Sequence, residues 1–336
     1  MRICERHLMV GRDQFPEPLI SLTWMKGIFQ MQVSTMCRRT LMLLVVVAIA
    51  SVGGFRVTTA AHDSPEITAT ITATDFAYDI PDTVEAGYVT FTLVNDGAED
   101  HHAQILRLNE GTDLEGLLQA FDERGEAAIA EHGSFVGGPG LTSPGHESSS
   151  IVRLDAGSYV AICFVPSPDG SLHLEKGMVR EFTVTGEVDG HEPEADVTAA
   201  LTDFGFEAPS EVPAGEQTWE VVNGGPQPHE IQFVRLDEGV TFDQFLEGLS
   251  AQAVPASPGA GHGDAHGGAE VSTPLAAVDP PFTSVGGVQA LDVGATGWFV
   301  ADLAPGTYAI VCYIPDVVSG TPHYALGMVQ ELTVTG

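Results

Sequence analysis

Basic residues are scarce in this sequence. Its 336 residues contain 13 lysines and arginines against 46 aspartates and glutamates, a net charge of −33. Residues 62–336 hold six of the basic and 43 of the acidic side chains. A field of this sign repels nucleic acid and anionic lipid and favours a partner with a basic docking surface. The charge is also explained by solubility in a salty habitat, which is the preferred interpretation.

Cysteine and methionine are also rare. After residue 61 the chain contains only Cys163, Cys312, Met178 and Met328. The two cysteines fall at the same position of two related segments, so they are predicted to lie in different cores and to be poorly placed for a disulfide. Free buried thiols in an exported protein need another reason to exist, and metal ligation supplies one.

The amino-terminal apolar segment is shorter than a usual membrane span. Arg38 and Arg39 precede the run 41–55, and small residues at 59–61 follow it. This is the pattern of a signal peptide, so residues 1–61 are predicted to be a leader. We therefore expect a secreted, periplasmic or cell-envelope protein of a prokaryote, attached to a membrane only if the leader stays uncleaved.

An internal repeat covers nearly all of the remaining chain. Asp75-Phe-Ala-Tyr matches Asp203-Phe-Gly-Phe, and His101-His-Ala-Gln matches His229-Glu-Ile-Gln. The repeat predicts a first domain at 62–187, an acidic linker at 188–195 and a second domain at 196–336.

Each copy has the pattern of an antiparallel sandwich or barrel. Apolar and polar residues alternate in 67–72 and 88–94, and Gly, Pro and Asp separate the segments. One helix per copy is predicted from the capping boxes at Thr112 and Thr241 and the apolar stripes that follow them. The second copy also carries a Gly- and Ala-rich insertion at 255–274, predicted to be a loop, whose His262 and His266 could hold copper or zinc loosely.

One motif in each copy combines a thiol, an imidazole and a thioether. The eight candidate ligands are His101, Cys163, His173, Met178, His229, Cys312, His323 and Met328. Cysteine ends a predicted strand, histidine follows after nine or ten residues, and methionine follows after four more. The first histidine of each set comes from a distant strand, after the asparagine that ends it. One thiolate and two imidazoles with a weak axial thioether are the ligands of a blue-copper site.

These residues resemble the cupredoxin family of type 1 copper proteins. The resemblance rests on Gly-x-Tyr-x-x-x-Cys, His-x4-Met and the trailing Thr-Val strand, and it covers both copies. It implies an all-β fold of two tandem Greek-key β-sandwiches with two type 1 copper sites, each held by the four residues of one copy. It also implies one-electron transfer with a redox partner protein. In this family the electron passes through the loop histidine, here His173 and His323, which is expected to lie nearest the surface.

The residues beside the cysteines argue against a multicopper enzyme. A laccase-like oxidase has histidine on both sides of the thiolate, and nitrite reductase has one before it. Here Cys163 lies between Ile162 and Phe164, and Cys312 between Val311 and Tyr313. We therefore expect no enzyme activity. Two alternatives stay open: an envelope protein that binds and delivers copper, and a structural pair of sandwiches without metal.

Overall fold

The computed structural model describes residues 67–252 and 281–336, apart from the side chains of 126–127 and 251–252. The predicted leader at 1–61 and the insertion at 255–274, with His262 and His266, lie outside these residues. Residues 61–336 cluster as one compact unit, so the proposed division into two domains at 188–195 stays a prediction. Within the described part of the chain, none of the helices has the length and apolar character needed to cross a bilayer.

The first repeat contains eight strands. They are β1 Ile67–Thr74, β2 Ala77–Asp79, β3 Thr83–Asn95, β4 Gln104–Leu108, β5 Gly133–Gly137, β6 Glu147–Leu154, β7 Gly157–Ile162 and β8 Val179–Asp189. One sheet has the order β2-β1-β3-β6, and the other has the order β3-β8-β7-β4-β5. The long strand β3 belongs to both sheets, so it joins the two layers along one side.

The described residues of the second repeat follow the same plan with nine strands. They are β9 Val197–Thr202, β10 Gly205–Glu207, β11 Glu211–Pro213, β12 Gly215–Asn223, β13 His229–Leu236, β14 Phe282–Leu291, β15 Thr296–Leu303, β16 Gly306–Val311 and β17 Val329–Thr335. One sheet is β10-β9-β12-β15 and the other is β11-β17-β16-β13-β14. Here β11 and β12 together take the place of β3.

A separate hydrophobic core fills the space between the two sheets of each repeat. The first core includes Ile71, Phe91, Ile105 and Tyr159, and the second includes Trp219, Phe233 and Phe299. Most residues of both cores are strand residues whose side chains alternate between the faces of a sheet. The alternation predicted for 67–72 and 88–94 is therefore confirmed.

Helices cover the outer face of one sheet in each repeat. They are α1 Leu114–Arg124, the short α2 Ile129–His132 after a 3-10 turn at Gly125–Ala128, and α3 Phe242–Gln252; a further 3-10 turn spans His323–Leu326. The stripes are confirmed, since Leu117 and Phe121 of α1 and Phe245 and Leu249 of α3 are buried against the sheets. The helical segment at 125–132 was not predicted.

The two predicted capping boxes differ in outcome. Thr241 and Gln244 exchange the expected hydrogen bonds, with Gln244 N donating to Thr241 Oγ1 at 3.2 Å and Thr241 N donating to Gln244 Oε1 at 2.9 Å. The prediction for Thr112 is wrong by one residue, because the Asp113 carboxylate accepts from Gly116 N at 2.9 Å. A carboxylate at this position also interacts favourably with the positive end of the helix dipole.

The repeats join through their strand edges. Strand β6 pairs antiparallel with β15 from Gly297 opposite Val152 to Val300 opposite Ser149, and β5 meets β14 at Val136 and Leu291. The β6–β15 pairing makes one continuous sheet of eight strands, β2-β1-β3-β6-β15-β12-β9-β10. Strand edges that would otherwise be open are thereby covered.

Candidate metal centre

A thiol and two imidazoles meet in each repeat. One group is His101, Cys163 and His173, the other is His229, Cys312 and His323, and all six residues are 0% exposed. Strand β7 delivers Cys163 just past its last residue, on the same face as Tyr159 and Ala161, as the period of two predicts. Both cysteines are free thiols, as expected.

The four imidazoles face the thiols through the same ring atom. His101 Nδ1 lies 3.0 Å from His173 Nδ1, and His229 Nδ1 lies 3.0 Å from His323 Nδ1. The Cys163 sulfur lies 3.9 Å from His101 Nδ1 and 3.4 Å from His173 Nδ1, and Cys312 lies 3.3 Å from His323 Nδ1. Three donor atoms therefore converge on one point in each repeat.

Asparagine side chains hold the first histidine of each group in place. Asn95, the last residue of β3, donates to the carbonyls of Glu99 and Thr142 at 2.9 and 2.8 Å. Asn223, the last residue of β12, donates to the carbonyls of Gln227 and Leu291 at 2.9 and 2.8 Å. These bonds fix the loop between each asparagine and its histidine.

The main chain of each methionine is hydrogen-bonded to the cysteine and to the loop histidine of its group. Cys163 N donates to Met178 O at 3.2 Å, and Met178 N donates to His173 O at 2.9 Å. Cys312, Met328 and His323 make the same two bonds, at 3.2 and 2.9 Å. Both methionines are 0% exposed, and each packs in the same hydrophobic cluster as its cysteine. Their role as ligands stays a prediction.

Carboxylates bind the outer nitrogens of three imidazoles. Asp75 Oδ1 lies 2.9 Å from His101 Nε2, Asp203 Oδ1 lies 2.8 Å from His229 Nε2, and Glu99 Oε2 lies 3.0 Å from His173 Nε2. A carboxylate that accepts the Nε2 hydrogen leaves the Nδ1 lone pair pointing at the thiol. Sequence reasoning missed all three acids, although Asp75 and Asp203 stand at matched positions of the repeat.

Burial favours the neutral forms of both thiols and of three imidazoles. It lowers the pKa of His101, despite the opposing hydrogen bond with Asp75, and the pKa of His229; it lowers that of His323 to about 4. Burial also raises the pKa of the Cys163 thiol to about 11 and that of Cys312 well above its ordinary value. At neutral pH both thiols are therefore protonated, and His101, His229 and His323 are neutral.

The geometry of the first group fits a metal ion. Its three distances define a triangle whose centre lies roughly 2 Å from each atom, close to metal–nitrogen and metal–thiolate bonds of about 2.0–2.3 Å. Two Nδ1 lone pairs at 3.0 Å repel each other unless a proton or a cation lies between them. One sulfur and two nitrogen donors are a soft set suited to a transition metal.

The loop histidines, expected to lie nearest the surface, have no exposed area. His173 and His323 are fully buried, and the rings of Phe76 and Phe204 pack against them at centroid distances of 4.8 and 5.1 Å. Glu99 covers the outer nitrogen of His173. The Nε2 of His323 has no hydrogen-bond partner among the described residues, since the matched residue Gln227 turns toward Asp203 and Asp316 instead.

The other histidines of the described residues lie outside the groups. His102 is half-buried, and its Nε2 accepts a hydrogen bond from Phe164 N at 2.8 Å. Burial lowers the pKa of His102 to about 3, so it is neutral. His146 and His191 are exposed, and His132 is half-buried.

Comparison with solved structures gives many similar chains. Auracyanin from the photosynthetic bacterium Roseiflexus castenholzii is 21% identical, with a TM-score of 0.27 over 36% of this chain and 98% of that one. Auracyanin A from Chloroflexus aurantiacus, a "blue" copper protein, is 19% identical, with a TM-score of 0.26 over 36% and 99%. The copper nitrite reductase of Nitrosomonas europaea is 13% identical, with a TM-score of 0.22 over 81% and 94%.

The fold is all-β and cupredoxin-like. This confirms the fold class expected from the sequence. A scan against protein-family models and a search of curated proteins found no match.

The expectation that the protein is not an enzyme is contradicted by these comparisons. The similar structures include a copper nitrite reductase, which is an enzyme, aligned over 81% of this chain. The expectation of no enzyme activity, which rested on the residues beside Cys163 and Cys312, is therefore withdrawn.

Proposed function

We propose that the protein binds two copper ions and carries single electrons. The ligands are the eight residues identified from the sequence: His101, Cys163, His173 and Met178 at the first site, and His229, Cys312, His323 and Met328 at the second. Copper supplies the one-electron chemistry when bound. The observation that carries the proposal is the convergence of one sulfur and two Nδ1 atoms at a buried point, in both repeats.

The chain contributes rigidity to these sites. Main-chain hydrogen bonds tie cysteine, histidine and methionine into one loop, and the distant histidine is fixed by an asparagine-bound turn. Asp75 and Asp203 orient the imidazoles from outside. A ligand set held in this way changes little between two oxidation states, which favours electron transfer.

Burial favours electron transfer over copper delivery. Handing copper to a partner requires at least one ligand that the partner can reach, but the six histidines and cysteines are all 0% exposed. An electron needs no such opening. We further propose that the protein works outside the cytoplasm. We also propose that its redox partner docks through a basic surface, because residues 62–336 are strongly acidic.

Metal content and the visible spectrum test the proposal. Purified chain loaded with Cu(II) and freed of excess metal is expected to retain two copper ions per molecule and to absorb strongly in the visible through thiolate-to-copper charge transfer. Zinc loading is the control, because a d¹⁰ ion gives no such band. Retention of fewer than two ions, or a colourless copper form, would contradict the proposal.

The carboxylates give a second expected result. Asp75→Asn and Asp203→Asn replace a charged acceptor by a neutral amide, which weakens the hold on the Nε2 hydrogen and allows the ring to turn. Loss of such an outer partner typically weakens metal binding about 10- to 100-fold. We expect a decrease of this size at the altered site alone, measured by competition with a copper chelator. Equal affinities at both sites in either variant would show that these aspartates do not position the imidazoles.

A further inference from the structure

Hydrogen bonds connect the second thiol to the first repeat. The peptide after Cys312 donates from Tyr313 N to Glu230 Oε1 at 2.8 Å, and the other oxygen of the same carboxylate accepts from Gln232 Nε2 at 2.9 Å. Glu230 is the residue after His229, at the start of strand β13. The carboxylate is 3% exposed and the amide 1% exposed, so both lie in the protein interior.

Gln232 carries the chain of contacts across the boundary between the repeats. Its Oε1 accepts from Leu141 N at 2.7 Å, in the loop between β5 and β6 of the first repeat. The next residue, Thr142, donates from its N to His101 O at 2.8 Å and is 0% exposed. His101 is the first histidine of the other group. Every step from Cys312 to His101 is therefore a covalent bond or a hydrogen bond of 2.7–2.9 Å.

The matched positions of the first repeat make a different connection. His102 replaces Glu230, and its ring accepts from Phe164 N at 2.8 Å. Gln104 replaces Gln232 and also reaches the other repeat, where it donates to Ala290 O at 3.1 Å, next to Leu291, which pairs with His229; its other bonds go to the carbonyls of Ile105 and Gly137. Among these matched positions, the Glu230–Gln232 pair is the one that links the peptide after a cysteine to the other repeat through side chains.

We propose that the Glu230–Gln232 relay is the path along which an electron passes between the two sites. This inference rests on the proposed function. Electronic coupling falls less steeply through covalent and hydrogen bonds than across gaps, so a contiguous bonded path sets the rate between two fixed sites. One site loses the electron that the other gains, and no bond is made or broken and no proton moves. Glu230 and Gln232 are positioning residues, since neither is assigned as a ligand.

The test compares two buried glutamines. Gln232→Leu removes both relay bonds, whereas Gln217→Leu removes a buried glutamine whose amide donates to Pro213 O within its own repeat. In copper-loaded full chain, a radiolytic pulse delivers less than one electron per molecule, and the thiolate absorption is followed in time at a wavelength where Cys163→Ser and Cys312→Ser differ in absorbance. We expect an absorbance relaxation that is independent of protein concentration, at least several-fold slower in Gln232→Leu and unchanged in Gln217→Leu.

A second variant and a second readout guard against misfolding. Gln232→Asn keeps an amide but is too short to reach both partners, and the same slowing is expected. In the metal-free protein, amide hydrogen exchange of Leu141 should quicken in Gln232→Leu and stay as in the wild type in Gln217→Leu.

The outcomes separate the inference from the proposed function. If both sites absorb but the relaxation is missing, or if its rate is the same in Gln232→Leu as in the wild type, the relay is wrong and the electron carrier stands. Unchanged Leu141 exchange in Gln232→Leu would likewise overturn the relay. If neither site gives the charge-transfer band, the proposed function itself fails.

Discussion

Replacing one cysteine by serine is expected to remove one copper ion and to leave the other in place. Cys163→Ser and Cys312→Ser each exchange a soft thiolate for a hydroxyl that is a poor copper ligand and stays protonated at neutral pH. The substitution is nearly isosteric, so the surrounding strands should keep their arrangement. Each variant should bind one copper ion instead of two and lose roughly half of the charge-transfer absorption, and the double variant should lose all of it.

The unaltered copper site of the other repeat serves as the control in each single variant. Each single variant retains the untouched site, so a general loss of folding would abolish both bands and can be recognised by circular dichroism. Copper retained at two ions per molecule in either single variant would show that the thiol at that position is not a ligand. A drop to zero with an intact fold would instead mean that the two sites depend on each other.

The sequence was informative where a local pattern determines position. Tyr159, Ala161 and Cys163 share one face because side chains alternate along a strand, so the direction of the thiol could be predicted without any tertiary contact. The histidines fall beside it because the repeat aligns them with the ends of β3 and β12. Two matched copies distinguished this pattern from chance.

The outer contacts could not be predicted in the same way. Asp75 reaches His101 across 26 residues, and Glu99 reaches His173 across 74, through loops whose paths depend on the packing of two sheets. The pairing of β6 with β15 could not be predicted either, because the main-chain hydrogen bonds of a strand edge do not specify the sequence of the partner strand. The aspartates at matched positions of the two repeats were the available evidence in the sequence. Their role as hydrogen-bond partners can be recognised only when the structure places an imidazole beside each of them.

Burial of the loop histidines has the same origin. The sequence places His173 and His323 in loops, which usually lie at the surface. Here the aromatic rings of Phe76 and Phe204, from the opposite end of the repeat, pack against them. Such a contact joins segments that are distant in sequence, so it follows from the fold and not from the loop itself.

Gly225→Ala is expected to disable the second site while sparing the first. A Cβ at this position would lie 2.6 Å from His229 Nε2 and 2.7 Å from His229 Cδ2, closer than non-bonded atoms approach. The turn cannot move aside easily, because Gly225 N is bonded to Asn223 Oδ1 at 3.0 Å and Asn223 is buried. The imidazole must therefore rotate, which breaks its bond to Asp203 and turns Nδ1 away from the sulfur.

The neighbouring glycine provides the matched control. In Gly224→Ala the new Cβ would come no closer than 3.7 Å to Leu201 O, an ordinary contact, so copper binding should stay at two ions. Overpacking of this kind typically costs about 1–3 kcal/mol, so Gly225→Ala should still fold, with one copper ion and a lower free energy of unfolding in denaturant titration. If Gly225→Ala bound two copper ions with unchanged spectra, the His229 ring would not have the orientation that the Asp203 contact imposes. In that case the second site would need a different nitrogen ligand.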